Sequence, residues 1–291
     1  MDSVIKKLYL TAVSLLRMIY YFPRKPSKLF YDKSSNKDVF IFGNGPTLAE
    51  ALNNLNYFID KDVLVVNHFA QTEEFAKIKP KFYVIVDPGF FKEGEEIDHN
   101  HRKRINATME MFVEKTNWNM RLLISWQGYN SKSFMDKISQ NPHILPIPIN
   151  TTIINGFCWF RHCCYKYNLG MPSSQTVILP SIFCAINLGY SNIFLLGCEN
   201  SWIKNIRVND KNQLCIYDEH FYDNNNDNLT LVSEKDPYKY TIYTELLSSA
   251  KVFYTHKLLN EYAIYRGAKI WNATPGSFID AYERCKTIYN F

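Results

Sequence analysis

The sequence predicts an α/β fold in which a mostly parallel, Rossmann-like sheet is flanked by helices. Short runs rich in Val, Ile, Leu and Phe recur along the chain, as in strands that are buried on both faces. Helical stretches separate these runs. The first run, residues 38–43, ends in a glycine turn that leads directly into a predicted helix. Further strands are predicted at residues 62–67, 81–87, 119–126, 192–197 and 267–272.

The charge of the 291-residue chain is concentrated at its beginning. The net charge is +5, and the first 28 residues hold six Lys or Arg against one acid, Asp2, so they account for the whole surplus. A nucleic-acid-binding domain would carry this charge on its folded body, so we expect no nucleic-acid partner. The seven cysteines have no regular spacing and form no CxxC pair, which argues against a disulfide framework and a structural zinc site.

Residues 3–22 are predicted to form an amphipathic helix, which ends before Pro23. Three cations interrupt its apolar residues, so it is unsuited to spanning a bilayer and better suited to lying in its interface. We therefore expect residues 1–28 to associate with the cytoplasmic face of the inner membrane, as a peripheral contact. Docking of this helix on the protein's own core is the alternative. Residues 36–291 would form the Rossmann-like domain.

Polar residues follow three of the predicted strands at the point where each strand ends. The first strand ends in Gly43-Asn44-Gly45-Pro46, a turn that leads into a helix start and favours phosphate binding. Asn67 ends the second strand and Asp87 the third. The carboxyl ends of parallel strands meet at one edge of the sheet, so Asn44, Asn67 and Asp87 are predicted to converge around a ligand.

A second block of polar residues leaves the predicted strand 192–197 at the same edge. Gly197 is followed closely by Glu199 and Asn200, which can hydrogen-bond sugar hydroxyls, and by Trp202, which can stack on a sugar or a base. A loop that packs its tryptophan into the core is the alternative. The turn at residues 274–277 follows the last predicted strand and is expected to close a nucleotide site.

These motifs resemble a known family. FIFGNGPTL, VVNHF and VIVDPGFF, together with SSQTVILPSIFCAINLGYSNIFLLGCENSW, resemble the bacterial sialyltransferases of glycosyltransferase family 42. They are also similar to a wider Rossmann-like group that includes the Maf glycosyltransferases and the pterin diphosphokinases. The resemblance implies a variant of the GT-A fold and a nucleotide-activated sugar as donor. It also implies that Thr176 and Ser181 contact that donor.

The residues at 217–223 gather groups suited to glycosyl transfer. A base must take the proton of the acceptor hydroxyl, and the departing phosphate must be stabilised. His220 can act near neutral pH beside the carboxylate of Asp218, and Tyr222 can donate to the phosphate. The resemblance implies this use of histidine and tyrosine without a metal. Polar residues follow, so we expect a lid at about 203–240. His256 is a rival base.

The predicted function is transfer of a sugar from a nucleotide donor, CMP-sialic acid or a similar compound, with inversion. The acceptor would be a glycan or glycolipid of a bacterial surface polymer. Two alternatives stay open: a Mg²⁺-dependent diphosphokinase-like transferase and a membrane-docked nucleotide-binding protein without enzymatic activity. The first would use oxygen ligands from Asp87, Glu199, Asp218 and Glu219. A homo-oligomer is also considered.

The remaining segments are predicted from composition. Residues 99–104 are basic and are expected to form a solvated loop, and the proline-bearing residues 144–150 are expected to form an extended linker. Aromatic residues at 156–170 predict an amphipathic helix, and a further helix is predicted at 249–266.

Overall fold

We describe the protein from a computed structural model, which covers residues 4–21, 37–92, 99–216, 230–231, 236 and 239–285. In these residues eight strands form one parallel sheet and three short strands form a second, antiparallel sheet. The strands are β1 (Asp38–Phe42), β2 (Val63–Val66), β3 (Phe82–Ile85), β4 (Met120–Ser125), β5 (Ile144–Ile149), β6 (Asn192–Leu196), β7 (Ile206–Val208), β8 (Leu214–Ile216), β9 (Thr230–Leu231), β10 (Lys269–Asn272) and β11 (Glu283–Arg284).

Helices cover both faces of the large sheet. They are α1 (Val4–Tyr20), α2 (Leu48–Leu52), α3 (Glu74–Ile78), α4 (His99–Lys115), α5 (Trp126–Tyr129), α6 (Lys132–Ile138), α7 (Cys158–Lys166), α8 (Ile178–Asn187) and α9 (Ile242–Arg266). Alternate residues of a strand point to opposite faces. Val39 and Ile41 of β1 therefore pack with α7, α8 and α9, whereas Phe40 and Phe42 pack with α2 and α4. The predicted α/β fold is confirmed.

The strand order β11-β10-β6-β1-β2-β3-β4-β5 places a switch point between β1 and β6. From β1 the chain runs outward to β5, and it then returns to pair β6 with the other side of β1. Parallel sheets of this kind bind ligands beyond the carboxyl ends of the strands at such a point. We call the region around the ends of β1 and β6, at residues 43–47 and 197–200, the switch-point crevice.

Helix α8 points its amino terminus toward the same edge as the crevice. At its other end, the turn at residues 188–191 leads into the start of β6, and the Tyr190 hydroxyl donates to Asp62 at the start of β2, at 2.6 Å. Since α8 therefore ends at the amino edge of the sheet, its first turn lies toward the carboxyl edge. It packs on the face opposite α2.

The segment at 144–150, predicted as a linker, is instead the edge strand β5, which pairs with β4 along its whole length. The prolines are tolerated because of their positions. The Met120 N–H donates to the His143 carbonyl at 2.9 Å, so the amides of odd-numbered residues of β5 face β4. The nitrogens of Pro146 and Pro148 therefore face the free edge, where no ladder partner is lost.

Two further expectations meet the structure in different ways. The basic residues 99–104, predicted as a loop, form the first turns of α4, whose buried side includes Ile105 and Phe112. In the predicted lid region, the described residues form the antiparallel sheet β7-β8-β9.

No helix in the described ranges is both long and apolar enough to cross a membrane. Helix α1 makes side-chain contacts with residues 153–157 and leaves most of its apolar side chains exposed.

Candidate functional site

The glycine turn extends the contact between β1 and β6. The Gly43 N–H donates to the Leu196 carbonyl at 2.8 Å, and the Gly45 N–H donates to the Gly197 carbonyl at 3.0 Å. A Cβ on Gly43 would lie 2.2 Å from the Gly197 oxygen, which is backbone and cannot move aside. This glycine is therefore required by the approach of two protein strands. From the sequence, this glycine turn was expected to favour phosphate binding.

A carboxylate of the chain itself lies over the glycine turn. Glu199 Oε1 accepts the Thr47 N–H at 2.8 Å and also accepts the Thr47 hydroxyl. A Cβ on Gly45 would lie 1.5 Å from Glu199 Oε2. The start of α2, just after Pro46, therefore already holds one negative charge, which would repel a phosphate placed there. Glu199 Oε2 is buried and has no hydrogen-bond partner among the described residues.

The tips of β1 and β2 are brought together by Asn44. Its Nδ2 donates to the Val66 carbonyl at 3.3 Å, which places it beside Asn67, the next residue. Asn67 has a positive φ of 47°, a conformation that asparagine tolerates better than most residues. The Oδ1 atoms of both side chains are buried, and no described residue hydrogen-bonds to them. Asn44 and Asn67 therefore lie at adjacent strand ends, and their predicted contact with a ligand stays a prediction.

The Asp87 side chain is hydrogen-bonded within the turn that it begins. Its Oδ1 accepts the Gly89 N–H at 2.8 Å and so caps the 3₁₀ turn Pro88–Phe90. A Cβ on Gly89 would lie 3.0 Å from Nε2 of His101 and 3.2 Å from Asp87 Oδ1, so the histidine approaches the same turn. Asp87 lies at the carboxyl edge as predicted. The described hydrogen bonds do not link it to Asn44 or Asn67.

The two residues attributed to the start of α8 differ in position. The Thr176 hydroxyl precedes the helix, is buried, and makes no hydrogen bond to the described residues. Ser181 lies inside the helix, is fully buried, and donates to the Val177 carbonyl at 2.8 Å. Its hydroxyl proton is therefore used within the helix, and its predicted contact with a donor stays a prediction.

Asn200 and His256 belong to one buried chain of hydrogen bonds. Asn200 Nδ2 lies 2.9 Å from His256 Nε2, and His256 Nδ1 lies 2.9 Å from the Tyr282 hydroxyl. Burial lowers the pKa of His256 to about 3, and its ring is fully enclosed. The enclosed ring, with both nitrogens engaged, is not open to an acceptor hydroxyl in this conformation. Asn200 thus contacts this histidine through Nδ2, its predicted contact with the sugar stays a prediction, and Tyr282 had no signal in the sequence.

The loop after β6 is fixed by the turn at 274–277. The Thr274 hydroxyl accepts the Cys198 N–H at 3.0 Å, and the Ser277 hydroxyl donates to the Cys198 carbonyl at 2.8 Å. The Phe278 N–H donates to the Glu199 carbonyl at 2.7 Å. Gly197 has a φ of 63° and lies so close to α2 that a Cβ would be 2.7 Å from the Leu48 Cβ. The turn therefore supports the crevice by holding Glu199 in place.

The predicted catalytic residues Asp218, His220 and Tyr222 lie outside the described residues.

Trp202 is partly buried against the core, and its indole N–H donates to Ser249 at 3.1 Å, so its ring packs within the protein. Within the described ranges there is no group of three His, Cys, Asp or Glu side chains that could hold a metal ion.

A separate cavity of about 310 Å³ lies between α4, α6 and the 3₁₀ turn at residues 88–90. Phe90, Phe91 and Phe134 form part of its wall, and Arg102 and Lys137 add positive charge. None of its lining residues belongs to the switch-point crevice. It therefore provides a basic, aromatic depression on a different part of the carboxyl side.

The fold defines a Rossmann-like α/β protein with a switch point between β1 and β6 of its sheet. A family model described as "6-hydroxymethylpterin diphosphokinase MptE-like" matches residues 14–205, about two thirds of the chain. The chain belongs to this MptE-like family. No curated protein matches it.

A solved Maf glycosyltransferase from Magnetospirillum magneticum AMB-1 is similar in structure, with 14% sequence identity and a TM-score of 0.47. The match covers 98% of this chain and 39% of that one, so this chain spans about two fifths of its length. The resemblance to sialyltransferases of family 42 finds no support in these comparisons.

Proposed function

We propose that this protein is a glycosyltransferase that holds a nucleotide-activated sugar in the switch-point crevice. The observation that carries the proposal is a set of buried polar atoms at the carboxyl edge without partners among the described residues: Asn44 Oδ1, Asn67 Oδ1, Thr176 Oγ1 and Glu199 Oε2. Leaving a buried polar atom unpaired costs about 1–3 kcal/mol, and a bound ligand would recover this. Several such atoms at one edge favour a polar ligand there.

The chemistry of these atoms indicates which part of the donor they contact. Nδ2 of Asn44 donates to the protein, so its Oδ1 is left to accept, and Glu199 Oε2 is also an acceptor. Acceptors require hydrogen-bond donors on the ligand, such as ribose hydroxyls or an exocyclic amine of the base. The carboxylate disfavours phosphate at the glycine turn, so the phosphate is better placed at the amino terminus of α8, near the Thr176 hydroxyl.

The transfer step would use the residues predicted in the lid. His220 would take the proton of the acceptor hydroxyl, oriented by Asp218, while the acceptor oxygen attacks the anomeric carbon of the sugar. Tyr222 would donate to the phosphate as its bond to that carbon breaks. The stereochemical outcome is inversion. CMP-sialic acid is our best candidate donor, and a glycan or glycolipid of a bacterial surface polymer is the acceptor.

A second function, Mg²⁺-dependent diphosphate transfer, is favoured by one observation besides the description of the family. Glu199 presents a buried carboxylate oxygen without a described partner, and Mg²⁺ prefers oxygen ligands of this kind. Asp87, also at the carboxyl edge, and the predicted Asp218 and Glu219 would complete the set.

Thermal unfolding with CMP-, UDP-, GDP- and dTDP-sugars and with ATP, each with and without EDTA, separates the two functions. A ligand at a hundred times its Kd stabilises the folded state by about 2.7 kcal/mol. Stabilisation by one sugar nucleotide, unchanged by EDTA and lost in Asn44→Ala, supports the glycosyltransferase. Stabilisation by ATP alone, abolished by EDTA, contradicts it. Asn130→Ala, at an exposed position, is the matched control.

A transfer assay tests the catalytic residues separately. His220→Ala is expected to abolish transfer of the sugar and to leave binding of the donor intact, because the base acts on the acceptor. Full transfer by this variant would exclude His220 as the base.

A further inference from the structure

Helix α1 is attached to the body of the protein through small polar side chains. The Asn155 N–H donates to the Ser14 hydroxyl at 2.8 Å, and the Phe157 N–H donates to the Thr11 hydroxyl at 3.2 Å. Ser14 is fully buried. Residues 11 and 14 share one face of the helix because they are three positions apart. An amphipathic helix that docks on its own core would bury its apolar stripe. In this helix the one fully buried residue is the polar Ser14, and most of the apolar side chains are exposed.

The contact between α1 and residues 153–157 is close and depends on a glycine. Gly156 has a φ of 118°, and a Cβ there would lie 2.1 Å from the Thr11 hydroxyl and 2.9 Å from the Thr11 Cα. Arg17 Nη1 adds a hydrogen bond to the Ile153 carbonyl at 3.3 Å. Met18 packs beside Cys164 of α7, with their sulfurs 3.8 Å apart. The docked face of α1 therefore fixes the direction in which its other face points.

The opposite face of α1 is apolar and exposed. At 100° per residue, positions 5, 8, 9, 16, 19 and 20 lie on the side away from Ser14. We call them the outer face of α1. Their exposed fractions are Ile5 77%, Leu8 55%, Tyr9 66%, Leu16 66%, Ile19 72% and Tyr20 80%. A contiguous apolar surface of this kind marks an interaction site rather than a surface built for water.

The charge of α1 indicates the occupant. The helix contains Lys6, Lys7 and Arg17 and no acid. Lys6 and Lys7 are exposed and lie on the polar side of the helix, away from the outer face, where the anionic headgroups around an interfacial helix would neutralise them. The aromatic rings of Tyr9 and Tyr20 suit the depth of the headgroups. Trp159, 70% exposed, lies two residues beyond the docking loop and adds an aromatic side chain.

We propose that the outer face of α1 binds an anionic phospholipid surface, with the helix lying in the plane of the interface. Its apolar residues enter the acyl boundary, Lys6 and Lys7 contact the headgroups, and the polar contacts to residues 153–157 hold the folded domain against the membrane. This inference is independent of the reaction proposed for the crevice, because it rests on contacts of α1 alone.

Co-sedimentation with vesicles tests the proposal on the full chain. We expect binding to phosphatidylcholine vesicles with about 30% phosphatidylglycerol, and weaker binding to pure phosphatidylcholine or in about 0.5 M NaCl. The triple variant Leu8→Gln, Leu16→Gln, Ile19→Gln should lose at least about tenfold in partitioning, since it replaces three of the six apolar side chains of the outer face. Glutamine retains helix propensity, so α1 should persist.

The matched control carries three glutamines on another exposed helix surface, at Tyr243, Leu246 and Ile264 of α9. It should bind vesicles as the unmodified protein does. Equal loss in both triple variants would overturn the proposal, as would the absence of binding to anionic vesicles. A concentration-dependent dimer in sedimentation velocity, abolished by the α1 variant and accompanied by no vesicle binding, would assign the face to self-association.

Discussion

Buried threonine hydroxyls in this protein fall into two kinds, and the difference separates a site from its support. Thr274 is hydrogen-bonded on both sides, to the Cys198 amide and to the Leu195 carbonyl. The Thr176 hydroxyl is buried and meets no described partner. A satisfied hydroxyl stabilises the fold, whereas an unsatisfied one costs free energy until a ligand completes it.

Thr176→Val should therefore stabilise the ligand-free protein by about 1 kcal/mol, because a methyl group replaces an unpaired hydroxyl of similar shape. The same variant should bind its nucleotide ligand more weakly. Thr274→Val is the matched control and should lose about 1–3 kcal/mol of stability, since it breaks two buried hydrogen bonds. Urea unfolding and ligand titration measure both quantities. A destabilised Thr176→Val would show that this hydroxyl has a structural partner.

His256 predicts a pH dependence of stability. Burial keeps its ring neutral down to a pKa of about 3, whereas the unfolded chain binds a proton below about 6.5. Between these values the unfolded state binds more protons, so acidification should lower the free energy of unfolding. The contribution is up to about 1.4 kcal/mol per pH unit.

Substitution of His256 by glutamine should flatten this dependence, measured by urea unfolding near neutral pH and at about pH 5. His143→Gln, at an exposed position, should leave the slope unchanged. If His256→Gln shows the same slope as the unmodified protein, the histidine is not the group that resists protonation.

Whether a contact between two residues can be predicted from the sequence depends on how far apart they lie along the chain. Asn44 and Asn67 were predicted to meet because each follows a buried strand, and parallel strands end at one edge. The capping of the glycine turn by Glu199 was not predicted, since it joins residues 152 positions apart. The sequence around a glycine does not show whether a ligand phosphate or a carboxylate side chain of the same protein will pack against it.

At the scale of elements, the end of α9 depends on a backbone conformation. Gly267 follows the helix with a φ of 73°, and no atom lies within 4 Å of a Cβ placed on it. Gly267→Ala should therefore cost about 1 kcal/mol from the left-handed backbone alone, without steric overlap. Gly267→Asn should cost less, because asparagine adopts this conformation more readily. A thermal-unfolding series that shows no difference among the three would contradict this assignment.

Helices and strands were predicted correctly where their sequence pattern matches their burial in the folded protein. The strands β1, β2, β3 and β6 are apolar because helices cover both sides of them, so composition alone revealed them. The strand β5 was missed because proline argues against a strand, and only the pairing partner shows that its prolines face outward. The start of α4 was missed because its basic residues lie on the exposed side of a helix whose buried side begins at Ile105.

At the scale of the whole molecule, the large sheet holds the crevice, and the predicted catalytic residues lie in the segment that bears the small sheet. The apolar residues of β8, Leu214 and Cys215, belong to neither of the two large core clusters. We therefore expect the large sheet to fold without the small sheet, and the segment that bears the small sheet to be needed for the reaction.

Replacement of residues 206–235 by a flexible linker should leave the large sheet folded and able to bind a nucleotide, while transfer of the sugar is lost. Circular dichroism and ligand titration measure the first two outcomes, and a product assay measures the third. The point variant His220→Ala serves as the comparison. Loss of the folded sheet would show that the small sheet is part of the core, and retained transfer would place the catalytic residues elsewhere.

The edge strand β5 has a consequence for crowded solutions of this protein. An added strand from a neighbouring molecule needs a row of alternating donors and acceptors, and at Pro146 and Pro148 the outward donors are missing. Stacking of molecules into fibrils through this border is therefore discouraged. Valine at both positions would restore the row and should shorten the lag before thioflavin-positive aggregates form in a concentrated, agitated sample.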